Sequence, residues 1–273
     1  MKAACSVPIL TLNSRPGLER LLPLLIPVFD DVFIIDGNST DGTREYAASL
    51  GVRVEDQFTH QEPNAPIKDF SKVRERSWSF AKCDWIFYLD SDEWSTQELL
   101  QKVVEIVEVN EVKTVHEFCR KACLPGGEVV ERAFFYPEYC LRLFARSSGA
   151  HLRERPVHER MILPTGVVTE KHNEFFYAQW PDPVVFWQKQ KKYLALEEGA
   201  RVNPSLTWFV RWGIVYNIGM LVKQSIRSFA LLISSPLFSA KTLPWVYIKR
   251  FLGYRVLAMR SVYRAWSRTR NHA

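Results

Sequence analysis

The stretch Asp84-Trp85-Ile86-Phe87-Tyr88-Leu89-Asp90-Ser91-Asp92-Glu93-Trp94 decides how the chain folds. Trp85 to Leu89 are apolar without alternation and rich in aromatic and branched side chains, the pattern of a strand covered on both faces in a parallel sheet. The run ends in Asp90, Asp92 and Glu93, three carboxylates within four residues. Open α/β sheets bind ligands beyond the carboxyl ends of their strands, so a carboxylate cluster at this point faces a ligand. Asp90 and Asp92 are two residues apart and can lean toward one point from an extended or tightly turning segment. Such carboxylates repel unless they share a cation, and a hard divalent ion carrying a diphosphate is one solution. Alone, the stretch is equally open to a second reading: a helix start over 96–108, with Asp92 or Ser95 as N-cap and Glu93 and Glu98 favouring the helix dipole.

Upstream, strands and helices alternate. Residues 6–12 read as a strand, followed by the helical spacing Leu18, Leu21, Leu22, Leu25. Val32 to Ile35 is a second buried strand. The turn-rich Asp36-Gly37-Asn38-Ser39-Thr40-Asp41-Gly42-Thr43 then launches a helix over 44–50, with Gly37 and Asn38 suited to positive φ and Thr40 or Asp41 suited to capping. Gly51 stops that helix, Val52 to Val54 is a third strand, and 69–82 has helical spacing that feeds the opening stretch. This order predicts a doubly wound, mostly parallel sheet with right-handed crossovers.

Downstream the texture changes twice. Residues 114–122, the turn Leu124-Pro125-Gly126-Gly127, 128–135 and 140–145 read as β-hairpin strands laid beside the sheet. Past Pro183 the pattern is helical and basic. Residues 1–182 carry 21 Lys and Arg against 28 Asp and Glu, whereas 183–273 carry 15 against 2. The basic region interleaves its cations with Trp, Phe, Leu and Ile, which suits amphipathic helices lying on an anionic membrane better than nucleic acid. A helical cap with solvated charges is the plainer alternative. No run reaches about 18 uncharged apolar residues, so no spanning helix is expected. The expected organisation is a globular α/β domain over 1–182 and a helical, membrane-associated region over 183–273. The five cysteines, Cys5, Cys83, Cys119, Cys123 and Cys140, are odd in number without framework spacing. They point to a reduced, cytosolic chain, and the N-terminus shows no secretory signal pattern. His116 with Cys119, Cys123 and Cys140 matches no compact zinc knuckle.

Four ordered stretches carry a resemblance: Pro8-Ile9-Leu10-Thr11-Leu12-Asn13; Ile35 to Thr43; Arg74 followed by Ala81-Lys82-Cys83-Asp84-Trp85; and Leu89-Asp90-Ser91-Asp92-Glu93. Together they resemble the family 2 glycosyltransferases of GT-A fold. Pro137 followed by Leu141-Arg142-Leu143-Phe144, then Pro156-Val157-His158-Glu159, are similar to the branch containing lipopolysaccharide-core β-glucosyltransferases. The resemblance implies a Rossmann-like sheet and inverting transfer of a sugar from a nucleoside diphosphate donor to a lipid-linked or lipopolysaccharide-type glycan, at the cytoplasmic face of a membrane. It implies a catalytic domain over 1–182, with 1–95 nucleotide-sugar binding and 96–182 on the acceptor side, and a nucleotide pocket formed by Thr11, Asn13 and Asp36. Arg74 would lie over the base or reach the diphosphate, and Asp90 would contact the ribose or a metal-bound water. Asp92 would ligate Mg²⁺ or Mn²⁺, Glu159 would be the general base, and His158 would steer Glu159 or approach the metal. Glu93 is a rival base, with a supporting task or the helix start as its other readings. Two departures bear on the donor: Asp-Gly-Asn-Ser stands for the usual Asp-Asp-Gly-Ser, and Arg74-Glu75 for the frequent Arg-Asn. Two further functions share some features. A sugar-phosphate nucleotidyltransferase would need a glycine-rich basic loop after the first strand, where Thr11 to Gly17 offers one Arg and one Gly. A membrane scaffold with a vestigial donor site would not need Asp90, Asp92 and Arg74 intact.

Overall fold

The computed structural model describes residues 2–59, 62–153, 160–199, 205–234 and 241–268. The chain divides into two compact units, Met1–Lys121 with Glu138–Gln179, and Ala122–Pro137 with Trp180–Ala273.

The first unit begins with alternating elements: β1 (Ala3–Thr11), α1 (Arg15–Leu25), β2 (Phe29–Asp36), α2 (Thr43–Ser49), β3 (Arg53–Asp56) and α3 (Phe70–Ser79). There follow β4 (Trp85–Phe87), β5 (Leu89–Asp90), β6 (Glu93–Ser95), α4 (Gln97–Val109), β7 (Thr114–Cys123), β8 (Tyr139–Ala145), β9 (His151–Leu152), β10 (Met161–Ile162) and β11 (Val168–Gln179). Nine strands form one sheet in the order β3-β2-β1-β4-β8-β7-β11-β6, with β5 also paired to β1. β1, β2, β3, β4 and β5 pair in parallel. β8 runs antiparallel to β4 and β7, and β6 antiparallel to β11. The sheet is therefore mixed rather than mostly parallel: its parallel half is the βα-wound region, and the strands after α4 return antiparallel.

Burial explains the deciding stretch. Trp85, Phe87 and Leu89 join the core under α1 and α4, while Ile86 and Tyr88 join a second cluster on the other face. Coverage on both faces is thus as the sequence predicts, but the strand is broken. The Tyr88 amide donates to the Arg142 carbonyl, and β5 resumes against Ile9 and Leu10 of β1. α1 lays Leu18, Leu21, Leu22 and Leu25 on the sheet with no exposure, each worth about 1.5–3 kcal/mol of burial. α4 is capped by Thr96, whose side chain accepts from the Leu99 amide; neither Asp92 nor Ser95 caps it, and Glu93 belongs to a strand. In the loop after β2, Asn38 has φ 60° and Gly42 φ 84°, so of the two residues expected to suit positive φ, Asn38 adopts it and Gly37 does not.

The second unit is built on aromatic packing. The turn at 124–127 closes with Gly127 N–H on the Leu124 carbonyl, but 128–135 forms two isolated bridges, Val129 to Cys123 and Arg132 to Thr242, in place of the expected strand. Its Phe134 and Phe135 instead pack with Trp180, Phe186, Tyr247 and Phe251. The helices are α5 (Pro183–Gly199), α6 (Leu206–Trp208) continuing through a π-helical stretch (Phe209–Val215) into α7 (Tyr216–Ser234), and α8 (Trp245–Arg268). Gly213 permits close approach to α8, since a Cβ there would sit 2.6 Å from Val262 Cγ1. Among the described residues no helix is long and apolar enough to cross a membrane.

Candidate active site

Parallel register builds the site. Thr11 is level with Asp36, and Leu10 is level with both Ile35 and Asp90. Three adjacent parallel strands therefore end with Thr11, Asp36 and Asp90 along one carboxyl edge, and Asn13 follows immediately in the loop after β1. The structure thus gathers four residues chosen from sequence.

Each is held differently. Asp36 is fully buried and accepts from Thr11 Oγ1 at 2.7 Å, from the Ser39 amide at 2.7 Å and from Ser39 Oγ at 2.7 Å, with Arg44 Nη1 at 3.4 Å. Its visible work is to lock the β2–α2 turn, the local role a turn aspartate commonly plays. Asn13, at φ 50°, donates its amide to Ser39 Oγ at 2.8 Å and accepts from the Thr40 amide at 3.0 Å, so the loops after β1 and β2 form one surface. Arg74, buried on α3, donates to Asp90 Oδ1 at 2.8 Å and stacks over the Tyr88 ring at 4.9 Å. Its neighbour Glu75 turns to the Leu152 amide at 2.8 Å, so the unusual Arg-Glu pair sends its two charges to different partners.

Asp92 is exposed and lines a cleft of about 320 Å³ with Asn13, Ser14, Gly17, Arg20 and Gln179. The turn that presents it is anchored on three sides. Ser91 Oγ donates to Ser14 Oγ at 2.9 Å, the Gln179 amide donates to the Asp92 carbonyl at 2.7 Å, and a Cβ on Gly17 would lie 2.0 Å from the Ser91 carbonyl oxygen. Arg20 adds a guanidinium over the Trp94 ring at 4.3 Å, and Trp94 stacks on Tyr177. Hard carboxylate oxygens from Asp90 and Asp92 beside a cleft suit a magnesium- or manganese-type cation.

Glu93 also lines that cleft, but its carboxylate is buried. Its side chain is 2% exposed, accepts from the Asp90 amide at 3.0 Å and pairs with Arg142 Nη2 at 2.7 Å. Arg142 lies 3.8 Å from Asp90 and over the Tyr88 and Phe176 rings. Burial pushes the Glu93 carboxyl up to about 7 against the attraction of Arg142. Burial pulls Arg142 down, but Glu93 and Asp90 outweigh it and hold the guanidinium well above its ordinary value, so Glu93 is the member of the pair that titrates. Glu93 holds the Asp90 amide and borders the cleft; it does not start α4. Arg142 falls in the Leu141-Arg142-Leu143-Phe144 motif, which by itself gives it no role, and Gly17, Arg20 and Gln179 carry no sequence signal beyond their place near the ends of strands. His158 and Glu159 lie outside the described residues.

The family model described as Glycosyl transferase family 2 matches residues 6–122, which hold the whole row of strand ends and the Asp92 turn. The chain carries a family 2 glycosyltransferase domain. A GT-A-like, Rossmann-type α/β architecture accompanies that assignment. An uncharacterized glycosyltransferase of Rickettsia typhi is 24% identical to the chain over 160 residues, 56% of this chain and 51% of that protein, so the chain spans about half the length of the curated relative. Glucosyl-3-phosphoglycerate synthase from Mycobacterium tuberculosis, in complex with Mn²⁺, UDP and glucosyl-3-phosphoglycerate, is 22% identical over 43% of this chain and 44% of its own, with a TM-score of 0.34. The same enzyme in complex with phosphoglyceric acid is 16% identical over 72% and 79%, with a TM-score of 0.46.

Proposed function

We propose that the chain transfers a sugar, with inversion, from a nucleoside diphosphate donor to a lipid-linked or lipopolysaccharide-type glycan at an anionic membrane surface. The observation that carries the donor side is the row of Thr11, Asp36 and Asp90 at the carboxyl edge, opening through Asp92 into the cleft, all within the glycosyltransferase domain. The joined loops of Asn13 and Ser39 form the nucleotide floor, which Asp36 holds from beneath. Arg74 keeps Asp90 oriented, and Arg20 brings positive charge to the cleft for a diphosphate. Asp92, with Asp90, is the proposed holder of Mg²⁺ or Mn²⁺, which when bound offsets negative charge on a departing diphosphate. Glu159 is the proposed general base, with His158 as its orienting neighbour or a further metal ligand.

The second unit supports the membrane side of the reading. α7 is inverted: Asn217, Gln224 and Ser228 are buried, whereas Ile218, Val222, Ile226, Phe229 and Ile233 are exposed. Asn217 is satisfied by the carbonyls of Trp212 and Gly213, and Gln224 accepts from Arg255. An apolar outer face flanked by Lys223 and Arg227, on a region of 15 cations against 2 anions, fits the hydrocarbon boundary of an anionic leaflet. Peripheral attachment on the cytoplasmic face is part of the proposal.

A panel of nucleotide sugars assayed for turnover with Mn²⁺ tests the reading. Glu159→Gln is expected to abolish transfer with donor binding retained, and Asp92→Ala to abolish metal-dependent turnover. Full turnover in Asp92→Ala contradicts the donor site, and lost donor binding in Glu159→Gln gives Glu159 a structural role instead.

A further inference from the structure

Apart from the donor cleft, β7 and β11 bring two imidazoles and a carboxylate to one point. His116 Nδ1 lies 2.9 Å from His172 Nε2 and 3.7 Å from Glu170 Oε2, and the ligating atoms of the three residues all lie within 4.8 Å of one another. Strand geometry explains the convergence. Glu170 and His172 are two apart on β11 and so share a face, and β7 is the neighbouring strand. His116 pairs with Leu143, which pairs with Phe87, placing the cluster three residues short of Asp90 along the sheet and two strands across. Among the described residues this is the one grouping of three His, Cys, Asp or Glu side chains with ligand spacing. Among the described residues Cys119, Cys123 and Cys140 do not join it and form no disulfide.

The surroundings have the form of a metal site. Both imidazoles are buried, at 3% and 6% exposure, while the Glu170 side chain is 58% exposed and leaves an entry path. Phe118 stacks on His172 with centroids 5.0 Å apart, and the Trp85 ring lies 6.0 Å from His116, so both ring planes are set by packing. The two imidazoles meet through His116 Nδ1 and His172 Nε2, the nitrogens that face one another across β7 and β11. Bonds of 2.0–2.1 Å in a tetrahedron place ligand atoms about 3.3 Å apart. The nitrogen pair needs to open by about 0.4 Å for that geometry, and the Glu170 carboxylate needs to close on His116 by a similar amount. Burial lowers the pKa of both rings, that of His116 to about 4, so both stand in the neutral, ligating form.

We propose that His116 Nδ1, His172 Nε2 and Glu170 form a zinc-type divalent cation site, with a fourth position open to water, that fastens β7 to β11. Two imidazoles and one carboxylate select a borderline cation such as Zn²⁺ over the hard cation suited to Asp90 and Asp92. The consequence reaches the cleft through the sheet. β11 pairs with β6 at Phe176 to Ala178, opposite Glu93 to Ser95, and its Gln179 amide holds the Asp92 carbonyl. Metal at this site therefore steadies the strand that steadies the donor turn. The proposal is independent of which sugar, or whether any sugar, is transferred.

Cobalt is the probe. Untagged, chelator-stripped full-length protein is titrated with Co²⁺ in visible absorption, Zn²⁺ is added as competitor, and thermal midpoints are read with and without Zn²⁺. Expected are one Co²⁺ per chain with an intense low-symmetry band, its loss on Zn²⁺ addition and a raised midpoint with Zn²⁺. Asp92→Asn is expected to keep the band, Glu170→Gln to weaken Co²⁺ affinity about tenfold or more, and His172→Gln to lose it. Because Glu170 is exposed, its variant folds as the parent does. No band in the parent protein, or a band lost in Asp92→Asn and kept in Glu170→Gln, overturns the site.

Discussion

Gly17→Ala is a one-carbon test of how the donor turn is seated. The new Cβ would lie 2.0 Å from the Ser91 carbonyl oxygen and 3.2 Å from its carbon. An ordinary contact needs more than 3 Å, so helix and turn must separate by about 1 Å. α1 cannot yield, because Leu18, Leu21, Leu22 and Leu25 are fully buried beneath it. The turn moves instead, loosening the Ser91–Ser14 hydrogen bond and shifting Asp92 by the same distance. Misplacing a catalytic group by 1 Å can cost on the order of 10²-fold in rate. Alanine also favours the helix over glycine by up to about 1 kcal/mol, which offsets part of the strain, so the thermal midpoint should change little. Donor turnover and thermal unfolding measured on the same preparation separate the two effects. A variant with kcat/KM within twofold of the parent refutes the claim that the Ser91–Asp92 turn is fixed against α1 for function.

The remaining predictions address the charges behind and beyond the cleft. Glu93, at about 7 when folded against an ordinary 4.5, binds more protons folded than unfolded, so its contribution to stability is greatest below about pH 4.5 and falls as pH rises through 7. The loss is on the order of 3 kcal/mol, and denaturant unfolding from pH 5 to 8 should show this slope disappear in Glu93→Gln; an unchanged slope assigns it elsewhere. Arg74→Met is expected to lower donor kcat/KM at least about tenfold, with Arg74→Lys recovering part of it, since a fixed guanidinium fork holds Asp90; initial rates with equal activity in all three proteins contradict that role. Ile226→Asp with Phe229→Asp, at side chains 64% and 66% exposed, should cut sedimentation with anionic vesicles about tenfold or more while leaving the unfolding midpoint unchanged; vesicle binding equal to the parent's removes α7 from the membrane surface.

How much of this is legible in the sequence follows from the range of each interaction. The βα order, the buried strand at 85–89 and the carboxylates at its end are written in local periodicity, because covered strands and helix stripes have distinct periods. The partner of Glu93 is 49 residues away at Arg142, and only the fold pairs them. That pairing is why a residue that reads as a helix start is a buried support for Asp90. The break at Tyr88 has the same origin, an amide drawn to the Arg142 carbonyl. The run 128–135 carries a strand pattern and a strong turn before it, yet its phenylalanines join an aromatic cluster that includes Trp180, Phe186, Tyr247 and Phe251 from beyond residue 179. His116 lies three residues before Cys119 in sequence, whereas it meets a histidine and a glutamate on β11, 56 residues on in the case of His172. Thr96 wins the helix cap over Asp92 and Ser95 because β6 occupies the chain as far as Ser95, leaving Thr96 as the first residue free to turn.

Calorimetry of nucleotide-sugar binding with and without Mn²⁺, on the parent protein and on Asp92→Asn, tests the central claim most directly. The account predicts that one donor binds the parent with an affinity that Mn²⁺ strengthens, and that Asp92→Asn loses the metal-linked part while remaining folded. Donor binding that is indifferent to Mn²⁺ in the parent, or equally Mn²⁺-linked in Asp92→Asn, would contradict it.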